Sequence, residues 1–238
     1  MAKKRSEHRE HVLRFQVTEA YKKARTNLVY SIIKQGCKKI VITSPLKGEG
    51  KTTTAVNVAI ALSQQKDTKV LVIDCDLRRP MIHTFFKLSG DEKGLVNYLN
   101  DECTLEEAIS KTKTDSLDLI TFGVIPPNPS ELLLSDSMAQ MVEELEKNYD
   151  YIIFDTPPVN MVVDAIPLLG ISDGTVLVVK HNSSTYPEFK IAVDTLKRNQ
   201  ANIVGIILNG APATGVSKGE YFSKNSKVGT YEQTYSKQ

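Results

Sequence analysis

Short, uninterrupted apolar runs alternate along the chain with longer segments in which apolar residues recur at helical spacing. Continuous apolar runs are typical of strands buried on both faces of a parallel sheet, and the segments between them are long enough for crossover helices. The pattern therefore predicts an α/β fold with a doubly wound, mainly parallel sheet. The predicted strands are 39–43, 69–74, 117–121, 151–155, 175–180 and 203–209, and the predicted helices are 18–34, 52–65, 94–100, 104–111, 130–147, 163–169 and 187–199.

Local signals support several of these boundaries. Thr18 is placed as the N-cap of the first helix, and Thr104 and Glu107 have the spacing of a capping box. Beyond Gly210 the sequence becomes polar and rich in Ser, Lys, Gly and Thr, with no apolar period. We therefore expect one domain over residues 1–211 and a flexible tail over residues 212–238.

The composition is that of an ordinary globular domain. The 238 residues are 41% hydrophobic and 24% charged with a formal net charge of +2, so no nucleic-acid partner is expected. No apolar run approaches the roughly 20 residues needed to cross a bilayer, and no signal peptide is recognisable, so a cytoplasmic protein is expected. The three cysteines are widely spaced without a CxxC pair, and the four histidines are scattered, which argues against disulfide and zinc sites.

The segment Gly48-Glu-Gly-Lys-Thr52 follows a predicted strand and opens a predicted helix, which is the context of a phosphate-binding P-loop. Lys51 would reach the β- and γ-phosphates, and the Thr52 hydroxyl would ligate Mg²⁺. The full G-x-x-x-x-G-K-[ST] pattern has glycine where this chain has Pro45, and a bare Gly-Lys-Thr sequence also occurs in unrelated loops. The expected nucleotide-binding residues of this loop are Gly48, Glu49, Gly50, Lys51, Thr52 and Thr53.

Acidic residues come directly after two of the predicted strands. Asp74 and Asp76 end one apolar run, and Asp155 ends another. Open α/β sheets bind ligands at the carboxyl ends of their strands, so these carboxylates are expected to share a cleft with the P-loop, although any one of them could merely cap a turn. Phosphoryl transfer needs positioning and charge neutralisation. Asp155 is assigned to the Mg²⁺ shell, and Asp74 is the candidate base or second metal-facing group with Asp76 assisting.

Four segments, residues 48–55, 73–80, 126–133 and 149–159, together resemble the bacterial tyrosine kinases of exopolysaccharide and capsule operons. The resemblance covers almost the whole chain. It implies a P-loop NTPase fold with Walker A, Walker A′ and Walker B motifs, with ATP and Mg²⁺ as cofactors, and regulation of polysaccharide synthesis and export. Asn209 resembles the residue that contacts adenine in related ATPases. The resemblance also implies autophosphorylation of tail tyrosines, here Tyr221, Tyr231 and Tyr235.

The same resemblance implies partners. In the firmicute branch the membrane-spanning activator, of the polysaccharide co-polymerase type, is a separate protein that would recruit this chain to the inner face of the membrane. A cognate tyrosine phosphatase is expected too. Family members form homo-oligomers, including rings, through a helix with the pattern E-x-x-R-x-x-R. On the expected helix over residues 18–35, Glu19, Lys22 and Arg25 match it with lysine in the middle, but a solvated charged flank has the same spacing.

Two other classes of function stay open. A partitioning or septum-positioning ATPase would have the same fold and act as a switch without kinase activity. Such proteins carry a signature lysine five residues before the P-loop lysine, a position occupied here by Leu46, with Lys47 one residue out of register. A nonenzymatic nucleotide-dependent scaffold is the third class, because sequence indicates binding groups better than turnover. Phosphorylation of the tail tyrosines in the presence of Mg-ATP distinguishes the kinase from both.

Overall fold

A seven-stranded sheet forms the centre of the protein. The computed structural model describes residues 2–90 and 92–211. The strands of this part are β1 Lys38–Thr43, β2 Val70–Asp74, β3 Ile109–Lys111, β4 Leu117–Ile120, β5 Tyr151–Asp155, β6 Gly174–Lys180 and β7 Ile203–Asn209. Their order across the sheet is β3-β4-β2-β5-β1-β6-β7. Only β3 runs antiparallel to its neighbour within this sheet, so the prediction of a mainly parallel sheet is confirmed.

Helices follow most of the strands and lie on both faces of the sheet. Their bounds are α1 Ala2–Ser31, α2 Lys51–Ser63, α3 Ile82–Phe86, α4 Leu95–Leu99, α5 Leu105–Ala108, α6 Pro129–Leu133, α7 Asp136–Leu145, α8 Ile166–Ile171 and α9 Tyr186–Arg198. The predicted capping box is present at α5, where Thr104 Oγ1 accepts from the Glu107 amide and Glu107 Oε2 accepts from the Thr104 amide. Because helices pack on both faces of the mainly parallel sheet, the predicted doubly wound arrangement is confirmed.

The central strands β1, β2 and β5 are buried on both faces of the sheet over most or all of their length. Successive residues of a strand point to opposite sides, so each of these strands contributes to two cores. Ile40 and Ile42 of β1 belong to the core that contains Val56 of α2. Val41, between them, belongs to the opposite core together with Phe154. The three β1 residues are fully buried, which explains the uninterrupted apolar runs in the sequence.

The first helix differs from its prediction. It begins at Ala2 rather than at Thr18 and ends at Ser31 rather than near residue 34. Thr18 lies inside the helix and is buried, so it is not an N-cap. Residues 2–17 contain neither glycine nor proline, and therefore nothing in this segment stops the helix. Within residues 2–90 and 92–211, no helix combines the length and the hydropathy needed to span a membrane.

Two other predicted helices are divided. The segment predicted as one helix over residues 130–147 forms α6 and α7, and α7 starts where the Ser135 hydroxyl accepts a hydrogen bond from the Met138 amide. The segment predicted as a helix over residues 104–111 ends its helical part at Ala108 and continues as β3, which pairs with β4. Helix α3 was not predicted. The predicted tail, residues 212–238 with Tyr221, Tyr231 and Tyr235, lies outside the described residues.

Gly94, which precedes α4, allows a close approach of two backbone segments and yields a stability prediction. A Cβ atom at Gly94 would lie 2.4 Å from the Thr121 carbonyl oxygen and 2.5 Å from the Gly123 nitrogen. Because both neighbours are backbone atoms, Gly94→Ala should lower the free energy of unfolding by roughly 1–3 kcal/mol in urea denaturation. The matched control is Gly170→Ala in α8, where no atom lies within 4 Å of the added Cβ. The control should be neutral or more stable, and equal effects of both substitutions would contradict the packing argument.

Candidate nucleotide-binding site

The connection between β1 and α2 has the backbone of an anion-binding loop. Gly48 and Gly50 have φ angles of +80° and +88°, a region that favours glycine. Gly50 is also the N-cap of α2, and it provides no capping side chain, while the first turn of α2 holds no acidic residue. Amides at an uncapped helix N-terminus are suited to bind phosphate. The left-handed turn falls at Gly48 and not at residue 45, which explains why Pro45 is accommodated.

Lys51, the first residue of α2, lies against the acidic residues that follow β2 and β5. Its Nζ is 2.6 Å from Asp76 Oδ2 and 3.8 Å from Asp155 Oδ1. Burial alone lowers the pKa of Lys51, but the Asp155 and Asp76 carboxylates outweigh this effect and raise it above the ordinary value. The ammonium is therefore charged and is held at the cleft by Asp76.

Asp74 is fixed differently from Asp76. It is fully buried, and its Oδ2 accepts hydrogen bonds from the Met81 and Ile82 amides at 3.1 and 3.0 Å, at the start of α3. Its Oδ1 is buried without a hydrogen-bond partner. Burial and the Asp155 carboxylate raise the pKa of Asp74 well above its ordinary value. Asp74 Oδ2 is thus engaged by the backbone of α3, whereas Oδ1 is available to bind a ligand.

Asp155 lies directly beside Asp74, because the two residues are register partners in the pairing of β2 with β5. Asp155 is fully buried, and neither of its carboxylate oxygens makes a direct hydrogen bond of standard geometry. Burial raises the pKa of Asp155 to about 6, although the Lys51 ammonium and the Thr52 hydroxyl act in the opposite direction. Two adjacent carboxylates with unpaired buried oxygens indicate a site that is completed by a ligand.

The oxygen donors of this cleft fit Mg²⁺. Magnesium prefers one or two carboxylates and completes its shell with water and phosphate oxygens. Asp74 and Asp155 supply buried carboxylate oxygens without partners, and the Thr52 hydroxyl lies 3.3 Å from the Lys51 ammonium. Among the described residues no group of three or more His, Cys, Asp and Glu side chains forms a self-sufficient metal site. The cleft therefore suits a cation that arrives with a phosphate ligand.

Two expected nucleotide-binding side chains are engaged within the protein. Glu49 is fully buried, and its carboxylate accepts hydrogen bonds from the Ser184 hydroxyl and the Leu46 amide. Asn209 Nδ2 donates to the Glu49 carbonyl oxygen at 3.0 Å, and its Oδ1 accepts from the Gly210 amide at 2.9 Å. The Asn209 amide thus lies against the phosphate loop. A Cβ atom at Gly50 would fall 2.0 Å from Asn209 Nδ2, which is a second reason for glycine at that position.

One ion pair of the cleft was missed by sequence analysis. Arg78 Nε and Nη2 donate to the two oxygens of Asp164 at 2.6 and 3.1 Å, and Asp164 is fully buried. The pair joins the loop after β2 to the loop after β5. Arg78 belongs to the segment 73–80 that carries the family resemblance. No sequence motif indicates a role for Asp164, because its partner Arg78 is 86 residues away in the sequence.

The expected oligomerisation residues make contacts within their own chain. The Lys22 ammonium lies 2.8 Å from Glu19 Oε1 on the surface of α1. Arg25 Nη1 donates to the Ala61 carbonyl oxygen at 3.1 Å, in the last turn of α2. Leu28 of the same helix is buried in the core. The charged flank and the apolar stripe therefore lie where the helical spacing places them.

Comparisons with known proteins identify relatives of this chain. Residues 37–202 match the model of a family described as an AAA domain. The tyrosine-protein kinase YwqD of Bacillus subtilis (strain 168) is 38% identical over 214 residues, which cover 90% of this chain and 86% of that protein. The structure of the kinase domain of the Escherichia coli tyrosine kinase ETK is similar with a TM-score of 0.77 and 35% identity, covering 85% of this chain and 80% of that chain.

The likeness to a cell division ATPase is weaker. The cell division ATPase MinD of Pyrococcus furiosus gives a TM-score of 0.59 and 25% identity, covering 72% of this chain and 71% of that chain. Its similarity reflects the shared P-loop NTPase fold. The similarity to YwqD over nearly the whole of both chains shows that this chain belongs to the family of bacterial tyrosine-protein kinases.

Proposed function

We propose that this protein is an ATP-dependent protein-tyrosine kinase that phosphorylates Tyr221, Tyr231 and Tyr235 of its own chain and so regulates exopolysaccharide or capsule synthesis and export. The observation that carries the proposal is the convergence of the buried Lys51 ammonium with Asp74, Asp76 and Asp155 beside an uncapped helix N-terminus. Membership of the tyrosine-protein kinase family supplies the reaction type.

In the proposed reaction the tyrosine hydroxyl oxygen attacks the γ-phosphorus of ATP. The bond between the γ-phosphorus and the β,γ-bridging oxygen breaks, ADP leaves, and the phenolic proton passes to a carboxylate. Lys51 and the amides at the start of α2 would bind the phosphate oxygens, whose charge would be further neutralised by Mg²⁺ when it is bound. Asp155 and Thr52 are the proposed metal ligands, with Asp74 beside them.

The different contacts of Asp74 and Asp76 support different roles for the two carboxylates in the reaction. Asp76 positions the Lys51 ammonium, because the two groups form a close ion pair. Asp74 keeps one unpaired oxygen and has a raised pKa, so it is the better base for the phenolic proton. Asn209 and the amides of residues 48–53 are proposed to line the nucleotide, with the side chain of Glu49 directed into the protein.

The family suggests where the kinase acts. We propose a cytoplasmic protein recruited to the inner face of the membrane by an activator of the polysaccharide co-polymerase type, with a cognate tyrosine phosphatase reversing its modification. Glu19, Lys22 and Arg25 are proposed to contribute to a homo-oligomer, which would require the contacts of these residues within the chain to be exchanged or shared.

Replacement of the P-loop lysine tests the kinase activity directly. Lys51→Met should reduce tyrosine autophosphorylation in Mg-ATP by at least about 100-fold, because it removes the ammonium that stabilises the transferring phosphoryl group. Phosphate incorporation is measured by mass spectrometry, with and without the cytoplasmic segment of the activator. The control is Lys66→Met, whose side chain is 92% exposed beyond the far end of α2. ATP hydrolysis by the wild type without any phosphotyrosine would instead favour the switch ATPase.

The acceptor positions are tested by conservative substitution. Replacing Tyr221, Tyr231 and Tyr235 together by phenylalanine removes the hydroxyl groups and leaves the described residues 2–90 and 92–211 unchanged. Autophosphorylation should fall to background, whereas the affinity for Mg-ATP, measured by isothermal titration calorimetry, should stay within about twofold. Undiminished phosphorylation of the triple variant would place the acceptor tyrosines elsewhere in the chain.

The raised pKa of Asp155 predicts an effect of pH on stability without magnesium. An acid whose pKa rises from 3.8 to about 6 on folding destabilises the fold as it ionises, between about pH 4 and pH 6 and fully above that range. Asp155→Asn should therefore be more stable than the wild type at pH 8, by on the order of 1–3 kcal/mol in urea denaturation, and equal to it near pH 4. Asp67→Asn, whose side chain is 86% exposed, is the control. A variant less stable than the wild type at pH 8 would mean that the carboxylate is structural.

A further inference from the structure

Glu49 is a buried carboxylate within the phosphate loop, and its side chain points away from the expected phosphates. Its exposure is 0%. Glu49 Oε2 accepts a hydrogen bond from the Leu46 amide at 3.3 Å, and Oε1 accepts from the Ser184 hydroxyl. A buried carboxylate is unfavourable unless it is hydrogen-bonded, and a negative charge next to a triphosphate opposes binding. A glutamate here therefore calls for a physical explanation.

The neighbours of Glu49 supply that explanation. Gly48 and Gly50 lie on either side of it, both with left-handed backbone conformations. Glycine loses more conformational entropy on folding than any other residue, so a loop built on two glycines samples many conformations unless something restrains it. Glu49 is the residue between them that has a side chain. Restraining Glu49 therefore restrains both glycines.

The restraints come from the carboxyl ends of β6 and β7. Ser184 belongs to the connection from β6 to α9 and is 135 residues from Glu49 in the sequence. Asn209, the last residue of β7 and 160 residues away, donates its Nδ2 to the Glu49 carbonyl oxygen. Both the side chain and the backbone of Glu49 are thus tied to elements outside the loop.

The attachment points make hydrogen bonds of their own. Thr185, next to Ser184, is the N-cap of α9 and forms a capping box with Glu188. The Glu188 carboxylate accepts hydrogen bonds from the Thr185 amide and from the Thr185 hydroxyl, each at 2.7 Å. Asn209 is held by its own bond to the Gly210 amide and by the pairing of β7 with β6. The side chain of Glu49 is therefore connected to a capped helix through Ser184, and its backbone to a paired strand through Asn209.

We propose that Glu49 is a positioning residue that holds the phosphate-binding loop in its nucleotide-receiving conformation, with Ser184 and Asn209 as its partners. The proposal rests on the proposed function only in taking this loop as the site of the ATP phosphates. Preorganisation of a loop lowers the entropy lost on binding, so its removal weakens nucleotide affinity. Both carboxylate oxygens of Glu49 are engaged by Ser184 and Leu46 rather than by Lys51 or another group of the cleft. The rate at saturating ATP is therefore nearly independent of the restraint.

The experiment separates affinity from turnover. Mg-ADP and Mg-ATP affinities are measured by isothermal titration calorimetry and autophosphorylation rates at saturating ATP by mass spectrometry, for the wild type, Glu49→Ala, Glu49→Gln, Ser184→Ala and Ser183→Ala. Glu49→Ala should raise both dissociation constants by at least about tenfold with a less favourable binding entropy, and it should change the saturated rate by less than about threefold. Glu49→Gln keeps the size and an acceptor oxygen and should recover most of the affinity.

The control is Ser183→Ala, because Ser183 is the exposed neighbour of Ser184. Ser184→Ala should weaken nucleotide binding. The double variant with Glu49→Ala should lose less affinity than the sum of the two single losses, because both substitutions remove the same hydrogen bond between Ser184 and Glu49. Wild-type affinity in a folded Glu49→Ala protein would overturn the proposal, as would a loss of saturated rate at unchanged affinity. If the wild type itself failed to bind either nucleotide, the proposed function would fall as well, so the two failures are distinguishable.

Discussion

The parallel pairing of β5 with both β1 and β2 is the constraint on which the cleft depends. Its register sets Asp155 opposite Asp74 on one side and opposite Ile42 on the other. Strand β1 ends at Thr43, directly after Ile42, and the connection that contains the phosphate loop follows, so the same register that brings the carboxylates together also brings them close to the start of α2. A shift of one residue in either pairing would separate the ammonium of Lys51 from the acids. The apolar side chains that fill both faces of the sheet prevent such a shift.

The electrostatics of the cleft are unfavourable for the isolated protein. Three carboxylates and one ammonium are buried within a short distance, and oxygens of Asp74 and Asp155 have no hydrogen-bond partner. Such an arrangement persists in a stable domain only when the rest of the fold is strong enough to impose it. A divalent cation with phosphate oxygens supplies the charge and the ligands that these groups lack. A divalent cation offsets the net negative charge of the three carboxylates and the ammonium, and phosphate oxygens complete its ligand shell.

Much of the fold could be predicted because buried parallel strands have a strong sequence signal. The runs ending at Thr43, Asp74 and Asp155 were placed within a residue of their observed bounds. Strand β3 was missed because its three residues have no apolar pattern, and only the pairing with β4 makes them a strand. The break between α6 and α7 had a readable signal, since Ser135 followed by Asp136 is a typical start of a helix.

The candidate site could be predicted as a set of residues but not as a set of roles. Sequence placed Lys51, Asp74, Asp76 and Asp155 at the carboxyl edge of the sheet, where the structure has them. It did not separate Asp74 from Asp76, because the difference depends on the path of the chain between residues 76 and 82. Nor could it find the partners of Glu49 or of Arg78, which come from distant parts of the chain.

The hydrogen bonds that Asp74 accepts from Met81 and Ile82 have a mechanical consequence. The carboxylate caps the N-terminus of α3, so its orientation is tied to that of the first residues of the helix. About half of Met81 is exposed, so the beginning of α3 lies at the surface. A tilt of this short helix would swing the Asp74 carboxylate with it. The cleft is thus connected to the surface of the protein through the start of α3, on a path that does not include the phosphate loop.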